Sequence, residues 1–167
     1  ASVSDRDGPK SIVKDAVREF GTVDILVNNA GILRDKSFRK MTLDEWDLVV
    51  AVHLNGSAYV THAAWQIMYK KNYGRFVLTS SGSGIWGNFG QANYGAAKMG
   101  MIGMMNVLAL EGASHNIRVN CLAPGAATRM TATIPGREFD PKNPPAQSAP
   151  SLVTPAVLYM TSEDAPS

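Results

Sequence analysis

Two hydrophobic patterns alternate along the chain, and their order predicts the fold class. Apolar residues at helical spacing predict helices over residues 9–20, 42–69, 92–113 and 150–161. Short, continuous apolar runs predict strands over residues 23–28, 75–81 and 117–122, and such runs are typical of parallel strands covered on both faces. Strands that alternate with helices predict an α/β fold, a doubly wound parallel sheet that forms one domain over residues 1–167.

Local signals mark where these elements begin and end. Gly21 is expected to end the first helix, and Thr42 is expected to begin the second as its N-cap, with Glu45 completing a capping box. The proline-rich stretch from Pro135 to Pro150 predicts a loop or a mobile lid. The apolar positions of the first helix are Ile12, Val13, Ala16, Val17 and Phe20.

Composition narrows the class of protein. A chain of 167 residues with 45% hydrophobic content can bury a sizeable core. Its net charge of +2 is spread over interspersed residues, so we expect neither nucleic acid nor a membrane as a partner. The single cysteine, Cys121, excludes an internal disulfide framework and fits a reducing compartment. Its apolar neighbours favour a small core residue over a nucleophile.

Tyr94 and Lys98 carry the clearest chemical signal. Four residues apart on a predicted helix, they share one face. An ammonium beside a phenol favours phenolate and lowers the tyrosine pKa from its free value of about 10, which would give a general acid/base near neutral pH. This spacing is common on surfaces, but here the buried strand 75–81 and a loop rich in glycine and asparagine precede it.

Three motifs follow predicted strands, at residues 29–31, at Ser81 and at residues 124–125. Ligands of doubly wound sheets bind beyond the carboxyl ends of the strands, so these motifs are candidates for one site. Residues 82–87 also fit G-x-G-x-x-G. We interpret them as a substrate loop and not as a phosphate cradle, because the loop continues through residues 88–90 and Glu111 lies inside a helix.

Taken in chain order, the motifs resemble the short-chain dehydrogenase/reductase family over essentially the entire chain, which implies a Rossmann-like fold. They are Ser2-Val3-Ser4-Asp5, the strand and turn 24–31, Ser81 upstream of Tyr94 and Lys98, and the strand end 120–125. Four further segments resemble the (3R)-hydroxyacyl-CoA dehydrogenase domain of multifunctional β-oxidation enzymes and its bacterial relatives: residues 31–35, 52–54, 87–94 and 162–164.

The resemblance implies a mechanism. Tyr94 exchanges a proton with the substrate oxygen, Ser81 hydrogen-bonds and polarises that oxygen, and Lys98 lowers the Tyr94 pKa and holds the nicotinamide ribose. The cofactor is NAD or NADP, and no metal is implied. The implied cofactor contacts are Val3, Asn29, Ala30, Gly31, Tyr94, Lys98, Pro124, Gly125, Ala127 and Thr128.

The chain departs from the family pattern at three places. Ser2 replaces the usual aspartate beside the adenine, and the segment after Pro124 is one residue shorter than the commonest family form. His53 stands where the family often has an asparagine that completes a proton relay. A proton relay and a buried structural role are both open for this histidine.

The resemblance implies an oxidoreductase that transfers a hydride between NAD(P) and a secondary alcohol or ketone, most specifically a 3-hydroxyacyl thioester. The nearest alternatives are a 3-oxoacyl-carrier-protein reductase and a steroid dehydrogenase. We expect a homodimer or homotetramer joined through the helices 42–69 and 92–113, located in the cytoplasm, or in the peroxisome of a eukaryote.

The residues given include neither the family's first strand, glycine-rich turn and helix nor its final strand. We therefore expect a partial domain of a longer protein, and expect residues 1–167 alone to bind NAD(H) and NADP(H) negligibly and to be inactive. A hypothesis of another class is an inactive fragment that serves only as a helix-mediated self-association module.

Overall fold

The computed structural model describes residues 1–134 and 139–166. They form an α/β unit whose elements alternate as the hydrophobic pattern predicts. The helices and strands are α1 Gly8–Phe20, β1 Ile25–Asn28, α2 Leu43–Val50, α3 Gly56–Lys71, β2 Gly74–Thr79, α4 Gly82–Trp86, α5 Ala92–Gly112, β3 Ile117–Leu122 and α6 Thr154–Thr161. A π-helical segment and four 3₁₀ turns complete the list: Ala51–Asn55, then Ala113–His115, Thr131–Thr133, Ala146–Ser148 and Pro150–Val153.

The three strands form a parallel sheet in the order β1-β2-β3. Leu26 of β1 pairs with Phe76 of β2, which pairs in turn with Val119 of β3. Because the strands are parallel and in sequence order, all three carboxyl ends lie at the same edge of the sheet. The fold class predicted from the sequence is confirmed.

One face of the sheet supports the hydrophobic core. The helices α3 and α5 pack against this face, and α1 packs against α3. Their buried side chains form one cluster with alternate residues of β2 and β3. The members of the cluster are Val13, Val60, Ala64, Met68, Phe76, Leu78, Met101, Ile117 and Val119.

The opposite face of the sheet packs against α6 and the segment after it. Arg75 of β2 is completely buried there and donates hydrogen bonds to the carbonyl oxygens of Ser162 at 3.2 Å and Asn116 at 2.9 Å, and to the Glu163 carboxylate at 2.9 Å. Burial of a guanidinium is costly unless its donors find partners, and these acceptors provide them. Arg75 thereby fastens the C-terminal segment to the sheet.

Burial departs from the sequence-based prediction at β1 and α1. Ile25 is 49% and Val27 is 42% exposed, so β1 is not covered on both faces. The reason is that α6 lies against β2 on that face and leaves the outer strand open. In α1, Val13 is buried, whereas Phe20 is 81% exposed.

The predicted long helix over residues 42–69 is divided by the π-helical segment Ala51–Asn55. Its start is confirmed: the Thr42 side chain accepts a hydrogen bond from Glu45 N at 3.2 Å, and Glu45 accepts one from Thr42 N at 3.0 Å. Gly21 ends α1 with φ of 78°, as predicted. No helix in the described part of the chain has the length and apolar character needed to cross a membrane.

The interpretation of residues 82–87 as a loop was wrong for most of them, because Gly82–Trp86 form the short helix α4. Gly84 and Gly95 allow this close packing. A Cβ on Gly84 would lie 2.9 Å from Met99 N, and one on Gly95 would lie 3.1 Å from Ser83 O. Residues 139–150 contain turns and a 3₁₀ segment, consistent with the predicted loop, while residues 135–138 of that loop lie outside the described residues.

Candidate active site

The carboxyl edge of the sheet gathers the residues that the sequence singled out. Asn29 follows β1, Ser81 follows β2, and Pro124 follows β3, so all three leave the sheet at the same edge. The first turns of α5 bring Tyr94 and Lys98 to this edge. The strand order therefore unites motifs that are far apart in the chain.

Tyr94 and Lys98 share one face of α5, as their spacing predicts. The Lys98 ammonium lies 5.5 Å from the centroid of the Tyr94 ring. The lysine is only 3% exposed, and its ammonium donates a hydrogen bond to the carbonyl oxygen of Thr79 at the end of β2. The Ser80 hydroxyl donates to Lys98 O at 2.8 Å. Two hydrogen bonds thus join α5 to the end of β2 at the lysine.

The electrostatics differ from the prediction that Lys98 lowers the Tyr94 pKa. Burial raises the pKa of Tyr94 above its ordinary value, and the neighbouring Ser81 side chain opposes this shift. Burial also lowers the pKa of Lys98 to about 8. The physical reason is that both groups lose water, while the ammonium is directed at the Thr79 carbonyl rather than at the phenol oxygen. At neutral pH the site therefore holds a neutral phenol beside a protonated lysine.

Ser81 occupies the junction between β2 and α4. It is the N-cap of α4, and its hydroxyl oxygen accepts a hydrogen bond from Ser83 N at 3.2 Å. Its backbone is extended, as N-cap residues require. Its hydroxyl also lies within hydrogen-bonding reach of the Tyr94 phenol and opposes the rise of that group's pKa, so the two side chains are neighbours at this edge.

Two polar residues that we had not singled out for a role hold the start of α5. Asn93 is completely buried, donates from Nδ2 to the carbonyl oxygens of Arg34 and Glu45 at 3.2 Å each, and accepts at Oδ1 from Tyr94 N at 2.7 Å. Gln91 is 3% exposed and donates to the Asp35 carboxylate at 2.7 Å. These bonds fix Tyr94 relative to the segment after β1. The sequence contained a signal for this role: the amide side chains of Gln91 and Asn93 stand on either side of Ala92, the first residue of α5.

The turn after β1 is anchored at its start and open afterwards. Asn28 is buried and donates to the Thr61 hydroxyl at 2.8 Å, and Asn29 accepts from the Thr79 hydroxyl at 3.1 Å. Asn29 and Ala30 are exposed, and Gly31 is half-buried. The backbone of this turn is therefore held rigidly while one side of it remains accessible to a ligand.

The segment after β3 is partly accessible as well. Gly125 is exposed, and a Cβ built on it meets no atom of the described residues within 4 Å. Ala127 is buried and donates from its backbone to Ser148 O at 2.7 Å. Thr128 shares hydrogen bonds with Thr131, whose hydroxyl accepts from Thr128 N at 2.7 Å.

Val3 is placed differently from the other predicted cofactor contacts. It is half-buried, packs against the core, and touches the start of α3, where a Cβ on Gly56 would come within 2.9 Å of its side chain. Its assignment as a cofactor contact stays a prediction. His53 is 1% exposed and lies beside Tyr94, with ring centroids 5.0 Å apart.

Comparison with known proteins agrees with this geometry. The family description "short chain dehydrogenase" matches residues 1–138. Peroxisomal multifunctional enzyme type 2 of Mus musculus is 49% identical over 154 residues, which cover 92% of this chain and 20% of the mouse protein. The 3-oxoacyl-[acyl-carrier-protein] reductase FabG of Thermotoga maritima is 41% identical over 168 residues, covering 98% of this chain and 68% of that protein.

A solved structure is similar over the whole chain. The full-length peroxisomal multifunctional enzyme type 2 from Drosophila melanogaster superposes with a TM-score of 0.74 at 40% identity, covering 100% of this chain and 27% of that one. The chain thus spans about a quarter of the length of that multifunctional enzyme and 20% of the mouse protein. The matched motifs, their common edge and the family match together show that this chain belongs to the short-chain dehydrogenase family.

Proposed function

We propose that the complete protein transfers a hydride between NAD(P) and a secondary alcohol or ketone, and that its substrate is a 3-hydroxyacyl thioester or the corresponding 3-oxo compound. The observation that carries the proposal is the meeting of Ser81, Tyr94 and Lys98 at the carboxyl edge of the sheet. A polarising hydroxyl, a titratable phenol and a buried ammonium are the groups needed to move a proton to or from an alcohol oxygen.

In this proposal Tyr94 is the general acid/base. Its raised pKa keeps the phenol protonated at neutral pH, so it can donate a proton to a carbonyl oxygen that is being reduced. Ser81 donates a second hydrogen bond to the same oxygen and stabilises the charge that develops there. In the oxidative direction the phenol must first lose its proton, and the Lys98 ammonium then stabilises the phenolate through its positive charge.

The residues at the sheet edge fit the nicotinamide end of the cofactor, which supplies or accepts the hydride when bound. The accessible backbone of Asn29, Ala30 and Gly31 and the exposed Gly125 lie at the same edge of the sheet as Tyr94. Lys98 is the cation available for the ribose hydroxyls. We assign the cofactor contacts at Pro124, Ala127 and Thr128 from the family resemblance, without distinguishing NAD from NADP.

An acyl chain is favoured by exposed aromatic side chains on the segment that follows Ser81. Trp86, at the end of α4, is 86% exposed, and Phe89 is 90% exposed. Exposed aromatic side chains on such a segment are suited to bind an apolar substrate tail. The relatives named above as a multifunctional peroxisomal enzyme and as a 3-oxoacyl reductase agree with a substrate of this class.

The test is a substrate survey with the complete protein. Reduction of NAD and of NADP is followed separately with each enantiomer of a 3-hydroxyacyl-CoA and with a secondary alcohol that carries no thioester. The reverse reaction is measured with 3-oxoacyl thioesters of CoA and of acyl-carrier protein. We expect turnover of a thioester with one enantiomer preferred and at least tenfold slower turnover of the simple alcohol. Absence of turnover with every thioester and both cofactors would contradict the proposal.

We further propose that copies of the chain associate through the outer surfaces of α3 and α5. Apolar grooves of about 540 Å³ and 350 Å³ run between α1 and α3 and between α3 and α5. Leu110 is 81% and Val107 is 53% exposed on α5. Light scattering should give a dimer or tetramer that Leu110→Lys weakens, whereas Leu158→Lys on α6 should not.

A free cysteine and the names of the peroxisomal relatives support a cytoplasmic or peroxisomal location.

A further inference from the structure

His53 lies at the centre of the π-helical segment Ala51–Asn55. A π-helical turn adds a residue to a helix and re-aims the side chains around it, and such turns are frequent at functional sites. Here the segment directs His53 into the space between the turn after β1 and the start of α5, where it is 1% exposed. A histidine so placed serves either to move protons or to hold its neighbours apart.

The imidazole contacts both sides of this space. Its Nε2 atom lies 2.8 Å from the carbonyl oxygen and 3.0 Å from the amide nitrogen of Ile32. A Cβ added to Gly31 would lie 2.4 Å from its Cε1 atom, so the ring fills the room that a side chain at Gly31 would need. On the other side, the rings of His53 and Tyr94 meet edge to face, with centroids 5.0 Å apart and planes at 87°.

The ring makes its hydrogen bonds through one nitrogen alone. Nε2 accepts from Ile32 N when it is unprotonated and donates to Ile32 O when it carries the proton. The other nitrogen, Nδ1, is buried and has no hydrogen-bond partner among the residues that the structure describes. In both tautomers, therefore, no described group stands next to Nδ1 to pass it a proton or to receive one.

The charge state follows from the same surroundings. Burial and the nearby Lys98 ammonium lower the His53 pKa to about 4, and Tyr94 is the other titratable group in contact with the ring. The turn after β1 contributes only the Ile32 backbone. The imidazole is therefore neutral at physiological pH. Among the described residues, the Ile32 peptide is the sole hydrogen-bond partner through which the ring could pass a proton on.

We propose that His53 is a positioning residue: a neutral spacer that sets the distance between the turn 29–32 and the Tyr94 ring, and not a carrier of the substrate proton. It acts through Tyr94, by fixing the phenol against Ser81 and beside the turn that faces the cofactor. This positioning role rests on the proposed function in one respect: the rate that it is expected to affect is the rate of the proposed hydride transfer.

The first test compares His53→Ala and His53→Phe in the complete protein. A misplaced acid/base group costs up to about 10²-fold in rate, so His53→Ala should lower kcat by about that factor. His53→Phe, which restores a ring against Tyr94, should recover at least about tenfold of it. The pH at which kcat is half-maximal should be unchanged, and added imidazole should not restore His53→Ala. Rescue by imidazole, a shifted pH profile, or equal losses in both variants would overturn the proposal.

The second test displaces the ring without removing it. Gly31→Ala should lower kcat as His53→Ala does, because its methyl group displaces the ring. In the double variant, kcat should be only slightly lower than in His53→Ala, because the methyl group then enters the space that the ring has vacated. The matched control is Gly103→Ala, since Gly103 lies in α5 with nothing within 4 Å of its Cβ position among the described residues. Additive losses would mean that Gly31 acts elsewhere, which would overturn the proposal.

A third measurement is independent of activity. The ring resonances of isotope-labelled Tyr94 should shift in His53→Ala and in Gly31→Ala but not in Gly103→Ala, because the edge-to-face contact is lost. If the resonances shift in a protein without dehydrogenase activity, the proposed function fails while the positioning role stands. Unchanged Tyr94 resonances would overturn the positioning role whatever the activity.

Discussion

Replacing Lys98 with methionine is expected to stabilise the folded protein slightly at neutral pH while it damages the site. Methionine keeps the apolar stem of the side chain and removes the ammonium. Lys98 is 3% exposed, and among the described residues its ammonium has one hydrogen-bond partner, the carbonyl oxygen of Thr79. A buried charge with so little compensation is costly, and its removal relieves that cost.

The magnitude follows from the Lys98 pKa. A tenfold change in proton affinity corresponds to about 1.4 kcal/mol. A fall of the pKa from 10.5 to about 8 therefore means that charged Lys98 destabilises the fold at pH 7 by about 3 kcal/mol relative to an unperturbed lysine. Leaving the Thr79 carbonyl without its donor costs about 1–3 kcal/mol, so Lys98→Met should gain about 1 kcal/mol or break even.

The pH dependence gives the sharper test. Above pH 8 the folded protein releases the Lys98 proton while the unfolded chain keeps it up to a pH of about 10.4. The unfolded state then binds more protons, so wild-type stability rises with pH in this window. Between pH 7 and pH 9.5 this contribution should amount to about 2 kcal/mol, and it should be absent in Lys98→Met.

The assay is urea denaturation of wild type, Lys98→Met and the exposed-site control Lys40→Met at several pH values. As pH rises, the unfolding free energy of the wild type should increase relative to that of Lys98→Met. The unfolding free energy of Lys40→Met should show the same pH dependence as the wild type. Parallel pH profiles, with Lys98→Met less stable by more than about 3 kcal/mol at every pH, would refute the reasoning, because the ammonium would then be stabilising.

Three other variants probe the fold around the site. Arg75→Met should destabilise the protein by about 3 kcal/mol or more, because Ser162 O, Asn116 O and the Glu163 carboxylate lose a charged donor. The exposed Arg18→Met should change the unfolding free energy by less than about 0.5 kcal/mol. Thr42→Ala removes the capping box of α2 and should cost about 1 kcal/mol by thermal or urea denaturation; an unchanged stability would mean that the cap is dispensable. Gly84→Ala forces α4 away from α5 and should lower kcat by about tenfold, while Gly103→Ala should leave kcat unchanged.

The features that the sequence predicted well are those controlled by local chemistry. The Thr42 and Glu45 cap formed because both partners lie within one turn, and Gly21 adopted the left-handed conformation that glycine tolerates. The parallel direction of the strands, which brings their carboxyl ends to one edge, followed from the alternation of helices and strands. The proximity of Tyr94 and Lys98 followed from helix geometry alone.

The features that it missed depend on tertiary packing. Whether Ile25 and Val27 are covered depends on where α6 packs, which an apolar run cannot show. The helix α4 forms because glycines allow it to lie against α5, and glycines in the sequence favoured a loop. The predicted fall in the Tyr94 pKa neglected burial, which a spacing of four residues does not reveal.

The central claim, that Tyr94 moves the substrate proton, is tested most directly by Tyr94→Phe in the complete protein. Loss of a general acid/base costs about 10²-fold or more in turnover, so kcat should fall by at least that factor. Binding of NAD(P) measured by calorimetry should stay within about threefold of wild type, since phenylalanine keeps the ring that packs against His53. Tyr159→Phe on α6, a matched change at an exposed tyrosine, should leave kcat unchanged. Near-wild-type turnover of pure Tyr94→Phe would contradict the mechanism.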